Sequence, residues 1–243
     1  MTDDYIMCVH LLDHTGQAVA GVNADQLEHA FCTYEWKPGE TIITSTLLDF
    51  PTSVRVGAYS FELGMYSPFD FERIPTVDAG NLVNGDRILF GPVKRPRPAV
   101  KPPADSVPVE IVLGDELELI GYRIDALPTG SQALQLTLWW RGVRPATEDW
   151  TAFFHIAPSA NNAELVGQLD HAITDHEYPP TVWAAGEVVQ EQVQISAAKL
   201  QAGSYAVWMG MYAPVTQMRA AVEAGPGVVV DNRALLLEFQ LAP

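Results

Sequence analysis

The sequence predicts an all-β protein: two tandem antiparallel β-sandwich domains from an internal repeat, the first lacking its N-terminal strands. Three observations predict it. The stretch Gly57 to Pro68 returns as Gly203 to Pro214, both reading Gly-x-Tyr-x-x-x-x-Gly-Met-Tyr-x-Pro, and a fixed repeat defines the folding unit. Short runs of β-branched and aromatic residues alternate with turn-forming clusters, and helical signals are nearly absent. Between the copies, Pro92 to Pro103 is dense in proline, which denies a sheet its donors and favours an extended spacer. Immunoglobulin-like and jelly-roll topologies both satisfy this pattern.

The first copy opens with a strand at Asp4 to Leu12, whose twin is Asp149 to Ala157. A hairpin follows through Asp13 to Gly16, or the longer Pro158 to Ala163, where an insertion costs little. With symmetric hairpins, His10 faces Val19 and His155 faces Val166. The loop beyond ends in Trp36-x-x-Gly39-Glu40, matched by Trp183-x-x-Gly186-Glu187. A strand is expected at Thr41 to Leu48, with Val188 to Ile195 as counterpart. The Gly-x-Tyr strand follows, then a closing strand at Arg87 to Phe90 or Arg233 to Leu236. Ser196 to Leu200 is at most one helical turn.

Only the second copy has the section Val109 to Trp140. Within it Leu134, Leu136, Leu138 and Trp140 alternate with other residues, the period-2 mark of a half-buried strand. The expected domains are therefore 1–95, an N-terminally incomplete sandwich, and 109–243, a complete one, joined by the linker 96–108. A sandwich without those strands leaves core surface uncovered. The chain is then expected to be an excised fragment, or to have its first domain completed by another chain or by packing on the second, the alternative being a naturally smaller first sandwich.

The composition is that of globular domains: 48% hydrophobic, 18% charged, with a formal net charge of −16. Such an acidic surface repels phosphate backbones and anionic lipid, which argues against nucleic-acid or membrane-surface partners. No apolar run reaches the ~20 residues of a membrane helix, and the acidic start lacks the features of a signal peptide. Cys8 and Cys32 have Phe153 and Pro179 at the matching places of the second copy. Two reduced thiols are therefore expected rather than a bridge.

Tyr5 to Asp13, Trp36 to Glu40, Gly57 to Tyr66 and Gly85 to Arg87 together form a series of motifs. The series returns as Trp150 to Ile156, Trp183 to Glu187, Gly203 to Tyr212 and Asp231 to Arg233, preceded by Gly121-Tyr122 and Leu138 to Arg141. It resembles a bacterial β-sandwich module found C-terminal to membrane-embedded glycosyltransferases that use polyprenyl-phosphate sugars. The resemblance covers nearly the whole chain, with Ala157-Pro158 and Asn232 as departures. It implies an extracytoplasmic accessory domain and carries over no transferase activity.

No serine, cysteine or carboxylate recurs at fixed spacing around His10 and His155 to make a triad or metal set, so both are read as hydrogen-bonded structural residues. Carboxylates crowd the loop before each tryptophan: Asp25, Glu28 and Glu35, then Asp170, Asp175 and Glu177. Asp170 aligns with Asn23, both oxygen donors suited to calcium, but the others do not align. Hydrolysis would require two carboxylates flanking a bond. The aromatic pairs Tyr34 with Trp36 and Tyr178 with Trp183 are the strongest binding candidates, because flat exposed rings stack on sugar faces. The competing reading makes Trp183 a core plug. Tyr59, Tyr205, Tyr66 and Tyr212 are assigned to the core.

The expected function is thus a non-catalytic module that binds a glycan or envelope component through Tyr34, Trp36, Tyr178, Trp183 and Asp170. No metal or other cofactor is expected, and no membrane insertion by this chain. The alternative is a structural or protein-interaction spacer, self-associating or contacting a parent protein through its incomplete first domain. A glycoside hydrolase stands third.

Overall fold

The computed structural model describes residues 4–24, 32–78, 80, 82–128, 133–159, 164–197, 200–225 and 227–242. The chain divides into two compact units, Met1–Pro96 and Arg97–Pro243. The first contains β1 (Ile6–Leu12), β2 (Ala18–Ala24), β3 (Gly57–Tyr66), β4 (Thr76–Val77), β5 (Val83–Gly85) and β6 (Ile88–Arg95). The second contains β7 (Val107–Leu113), β8 (Leu117–Ala126), β9 (Leu134–Gly142), β10 (Thr151–Pro158), β11 (Gly167–Ala172), β12 (Val188–Ile195), β13 (Gly203–Tyr212), β14 (Val222–Ala224), β15 (Val229–Val230) and β16 (Arg233–Leu241). The fold is all-β, and the strands pair antiparallel.

The first unit has a four-stranded sheet, β2-β1-β3-β6, and a separate ribbon β4-β5. The second has two five-stranded sheets, β11-β10-β13-β16-β15 and β12-β9-β8-β7-β14. Their inward faces make its core. Leu134, Leu136, Leu138 and Trp140 of β9 are fully buried, as are Ala152, Phe154 and Ile156 of β10 and Val207, Met209 and Met211 of β13. Each large apolar side chain so removed from water stabilises the fold by about 1.5–3 kcal/mol.

Segment 41–48 is not a strand, contrary to the sequence expectation, whereas Val188–Ile195 is. The reason lies in the partner. β12 runs along β9 from Val188 opposite Arg141 to Ile195 opposite Leu134, and the first unit has no strand equivalent to β9 among its described residues. Without it the same stretch has no ladder to join.

The registers of the two central sheets coincide. His10 stands opposite Glu62 and Ile6 opposite Tyr66, while His155 stands opposite Trp208 and Thr151 opposite Tyr212. Across the hairpin, His10 faces Gly21 and His155 faces Gln168. This corrects the expected Val19 and Val166. In the first unit the turn closes by Asp13 N–H donating to Gln17 O, and a bulge between Leu11 and Leu12 shifts the register further. The tip of the second hairpin, residues 160–163, lies outside the described residues. Gly21 is required where it stands, because a Cβ there would lie 2.5 Å from Cδ2 of the His10 ring.

The two recurring motifs have local physical causes. In Trp-x-x-Gly-Glu, Gly39 and Gly186 hold φ of +82° and +80°, a region costly for any side chain. The Glu40 carboxylate accepts from Lys37 N–H at 3.0 Å, and that of Glu187 from Ala184 N–H at 2.8 Å. In Gly-x-Tyr, Tyr59 OH donates to Arg55 O at 2.6 Å and Tyr205 OH to Gln201 O at 3.0 Å. Both rings are buried, and the back-bond anchors the strand entry as a tyrosine corner does. Tyr66 and Tyr212 are only half-buried and correct the core assignment made for them. They occupy the opposite sheet face, where Tyr66 stacks on Phe71 and Tyr212 lies beside Phe153.

Candidate functional site

The aromatic loop candidates separate. In the second unit Tyr178 is 0% and Trp183 2% exposed, so neither ring presents a face to a sugar. Their burial has a structural purpose: Trp183 Nε1 donates to Tyr178 O at 2.8 Å, and Tyr178 OH donates to Glu187. Arg97 lies over the Tyr178 ring at 5.1 Å. In the first unit Tyr34 is 53% exposed and Trp36 half-buried, bracketing the end of a one-turn 3-10 helix, Thr33–Glu35. Asp25 and Glu28 lie outside the described residues. Asp170 is exposed, on the outer face of the second unit's central sheet beside His155 and Tyr212.

The second loop is fastened from beneath. Glu191 of β12 is buried, yet its carboxylate accepts from Trp140 Nε1 at 2.9 Å and from Thr174 N–H at 2.6 Å, and pairs with His171 Nε2 at 2.9 Å. Thr174, Asp175 and His176 hold φ of +61°, +51° and +64°, three successive left-handed residues that cost conformational energy. The Glu191 bonds and Thr174 OH, which donates to Tyr178 O at 2.6 Å, offset that cost. Glu116 is buried similarly, accepting from Trp150 Nε1 at 2.7 Å and from Thr147 N–H at 3.0 Å. Burial alone pushes its carboxyl up. Those bonds and Arg144 outweigh burial and hold it below the usual range.

The outer face of each central sheet carries the other constellation. In the first unit Glu62 is 3% exposed. It accepts from Arg73 Nη2 and Arg87 Nη1, each at 2.7 Å, and lies 3.2 Å from His10 Nδ1. Burial works to raise its carboxyl, but the bonds from Arg73, Arg87 and His10 prevail and bring it down to about 2.

In the second unit the same places hold different partners. His155 replaces His10, Arg219 replaces Arg73 and Arg233 replaces Arg87. The bridges Tyr66↔Arg73 and Tyr212↔Arg219 coincide, and Arg87 and Arg233 precede Ile88 and Ala234, which pair with Leu63 and Met209. The central carboxylate is gone, with Trp208 in its place. Arg233 lies over the Trp208 ring at 5.7 Å and Arg219 over the Phe153 ring at 4.9 Å, contacts worth about 0.5–2 kcal/mol each. Gly210 is needed beneath, since a Cβ there would lie 2.5 Å from Phe153 Cζ. Asp170 stands 3.8 Å from His155 Nε2 and accepts from Tyr212 OH at 3.3 Å. Among the described residues, His155 Nδ1, Trp208 Nε1 and Arg233 Nε are buried without a hydrogen-bond partner. Burial depresses the His155 pKa. Asp170 opposes that shift, and Arg219 and Arg233 add to it.

The sequence reading picked out His10, His155 and Asp170 here but missed Glu62, Trp208, Arg73, Arg219, Glu191 and His171. One signal was available: within the Gly-x-Tyr repeat the charged Glu62 becomes the aromatic Trp208.

Among the described residues no helix is long and apolar enough to cross a membrane. Among the described residues Cys8 and Cys32 are not joined by a disulfide. Compared with models of protein families, with curated proteins and with solved structures, the chain matches none.

Proposed function

We propose that this protein is a non-catalytic interaction module in which one sheet-forming plan is used twice, and that its first unit associates with a second copy of the chain. The coincident registers of β1-β3 and β10-β13 support the duplication. One contrast carries the association. In the second unit the inward face of the central sheet is covered by β12-β9-β8-β7-β14, and Phe154, Met209, Met211 and Ala234 are each 0% exposed. In the first unit the equivalent Val9, Leu63 and Met65 are only half-buried, Ile88 is 52% exposed and Phe90 is 49% exposed. Leu48 and Val54 pack over one end beside Leu11 and Tyr59, and among the described residues the remainder of the face is only partly covered. Two such faces packed about a twofold axis make a sheet-on-sheet core.

Buried polar groups support the non-catalytic reading. Glu62, Glu116 and Glu191 each bind several donors inside their own unit and fasten the fold. The extracytoplasmic placement is carried by the resemblance to modules that accompany polyprenyl-phosphate-sugar glycosyltransferases, and is part of the proposal. The test is the solution mass of the chain by light scattering over a wide concentration range, alongside Phe90→Ser. A wild-type dimer that the substitution dissociates supports the reading; a wild-type monomer throughout overturns it.

A second reading rests on Tyr34, which is 53% exposed next to half-buried Trp36. This pair offers a ring to a glycan in the first unit alone. Affinity electrophoresis in immobilised polysaccharides tests it. Retardation abolished by Tyr34→Ala supports a glycan site, and unretarded migration removes it.

A further inference from the structure

The two outer faces differ at their centre by the exchange of Glu62 for Trp208. In the first unit a histidine and two arginines surround a carboxylate, with bonds of 2.7 Å from each arginine and 3.2 Å to the histidine. In the second unit the histidine and both arginines remain, at the same register, and the carboxylate does not. We propose that His155, Arg219 and Arg233 form a binding site for a carboxylate supplied by a small-molecule ligand, with Trp208 and Phe153 as its apolar floor.

Three features point to an anion rather than to a closed apolar patch. His155 Nδ1, Trp208 Nε1 and Arg233 Nε are buried without a partner among the described residues. Leaving such an atom unpaired is costly, and all three belong to residues that are cross-strand neighbours or in ring contact. The nearby carboxylates do not meet this need. Asp170 stands toward the other nitrogen of His155, at 3.8 Å. Asp231 is exposed and reaches only Arg233 Nη2, at 3.7 Å. Arg219 is itself exposed and tethered by one 3.1 Å bond to Asp231 O. It is the side chain that swings off Phe153 to admit the ligand and closes over it. A carboxylate accepts several donors at once and gains from two guanidinium groups in a low-dielectric setting. The first unit provides that arrangement with its own Glu62.

The test uses the full chain labelled with nitrogen-15 and follows the Trp208 indole signal, identified by its loss in Trp208→Phe, with the backbone amides of His155 and Gly210. Acetate, glucuronate, glucose and chloride are titrated at constant ionic strength. Acetate and glucuronate should shift these signals saturably, while glucose and chloride leave them in place. Tighter binding of glucuronate than acetate identifies the source as an acidic sugar, and the reverse identifies a simple acid. Arg219→Gln should weaken acetate about tenfold or more. Trp208→Glu should abolish the response of the His155 and Gly210 amides, because it supplies internally the group that Glu62 supplies in the first unit. Three results would overturn the proposal: no shift with any carboxylate, equal shifts with chloride, or undiminished acetate affinity in Arg219→Gln. The last decides the matter even where Trp208→Glu fails to fold.

Discussion

Glu62 and Trp208 occupy one register position in two sheets, each opposite a histidine. Around Glu62 the sheet's outer face is an ion cluster with Arg73 and Arg87; around Trp208 the equivalent Arg219 and Arg233 lie on aromatic rings. The two units thus solve the same burial problem by electrostatics in one case and by ring contacts in the other. Each solution leaves a separate experimental signature.

Glu62→Ala removes the carboxylate and leaves Arg73 and His10 facing a gap. With the arginines partly exposed and screened, the loss is about 1–3 kcal/mol, read by urea unfolding monitored through first-unit signals. Acetate should restore part of it at constant ionic strength, and chloride should not. Undiminished stability would remove Glu62 from its central place.

Acid should act on the units in two separate windows. The Glu62 carboxyl, ordinarily near 4.5, is depressed to about 2, so its stabilisation is present above 4.5 and is lost as pH falls toward 2. His155 is depressed from its ordinary 6.5 by burial. The folded second unit therefore binds fewer protons there than the unfolded chain, and stability drops as pH falls below 6.5. Thermal unfolding scanned over pH should show second-unit signals weakening first. A first unit that loses stability between 7 and 6 while the second holds would reverse this order.

Trp183→Ala should behave as a core deletion. Its ring is 2% exposed and bonded to Tyr178 O, so about 3–5 kcal/mol of stability is lost. Tyr34→Ala, at an exposed ring, should change stability by no more than about 0.5 kcal/mol. Denaturant midpoints of the two variants check this directly, and equal effects would contradict the burial assignment.

At the left-handed turn, Asp175 holds φ of +51° and is exposed. Asp175→Gly should be neutral or stabilise by up to about 1 kcal/mol, and Asp175→Val should destabilise. Glu191→Gln should weaken the pairing with His171, lowering the second unit's stability by about 1–3 kcal/mol. Native-state hydrogen exchange at Thr174 N–H reads both. Faster exchange in Glu191→Gln and protection retained in Asp175→Gly are expected.

Much of the fold was legible because sheets announce themselves by alternation and turns by glycine. The alternate residues Leu134 to Trp140 marked β9, and Gly39 and Gly186 marked turns with φ near +80°. What escaped depended on partners distant in sequence. Segment 41–48 has the composition of β12, but a strand needs a neighbour, and β9 has no equivalent among the described residues of the first unit. Trp183 and Trp36 share a motif, yet Trp183 is buried and Trp36 half-buried. The partner of His10 depends in part on the bulge at Leu11 and Leu12, which no local pattern announces. The Glu62 and Glu191 clusters assemble from residues 11 to 52 positions apart, beyond the reach of any short motif.

The central claim is that the half-covered face of β1, β3 and β6 is a surface for association. Light scattering on the wild-type chain and on Phe90→Ser tests it most directly. The account predicts a wild-type dimer at micromolar concentration and a monomeric, folded variant. A monomer in both would contradict it.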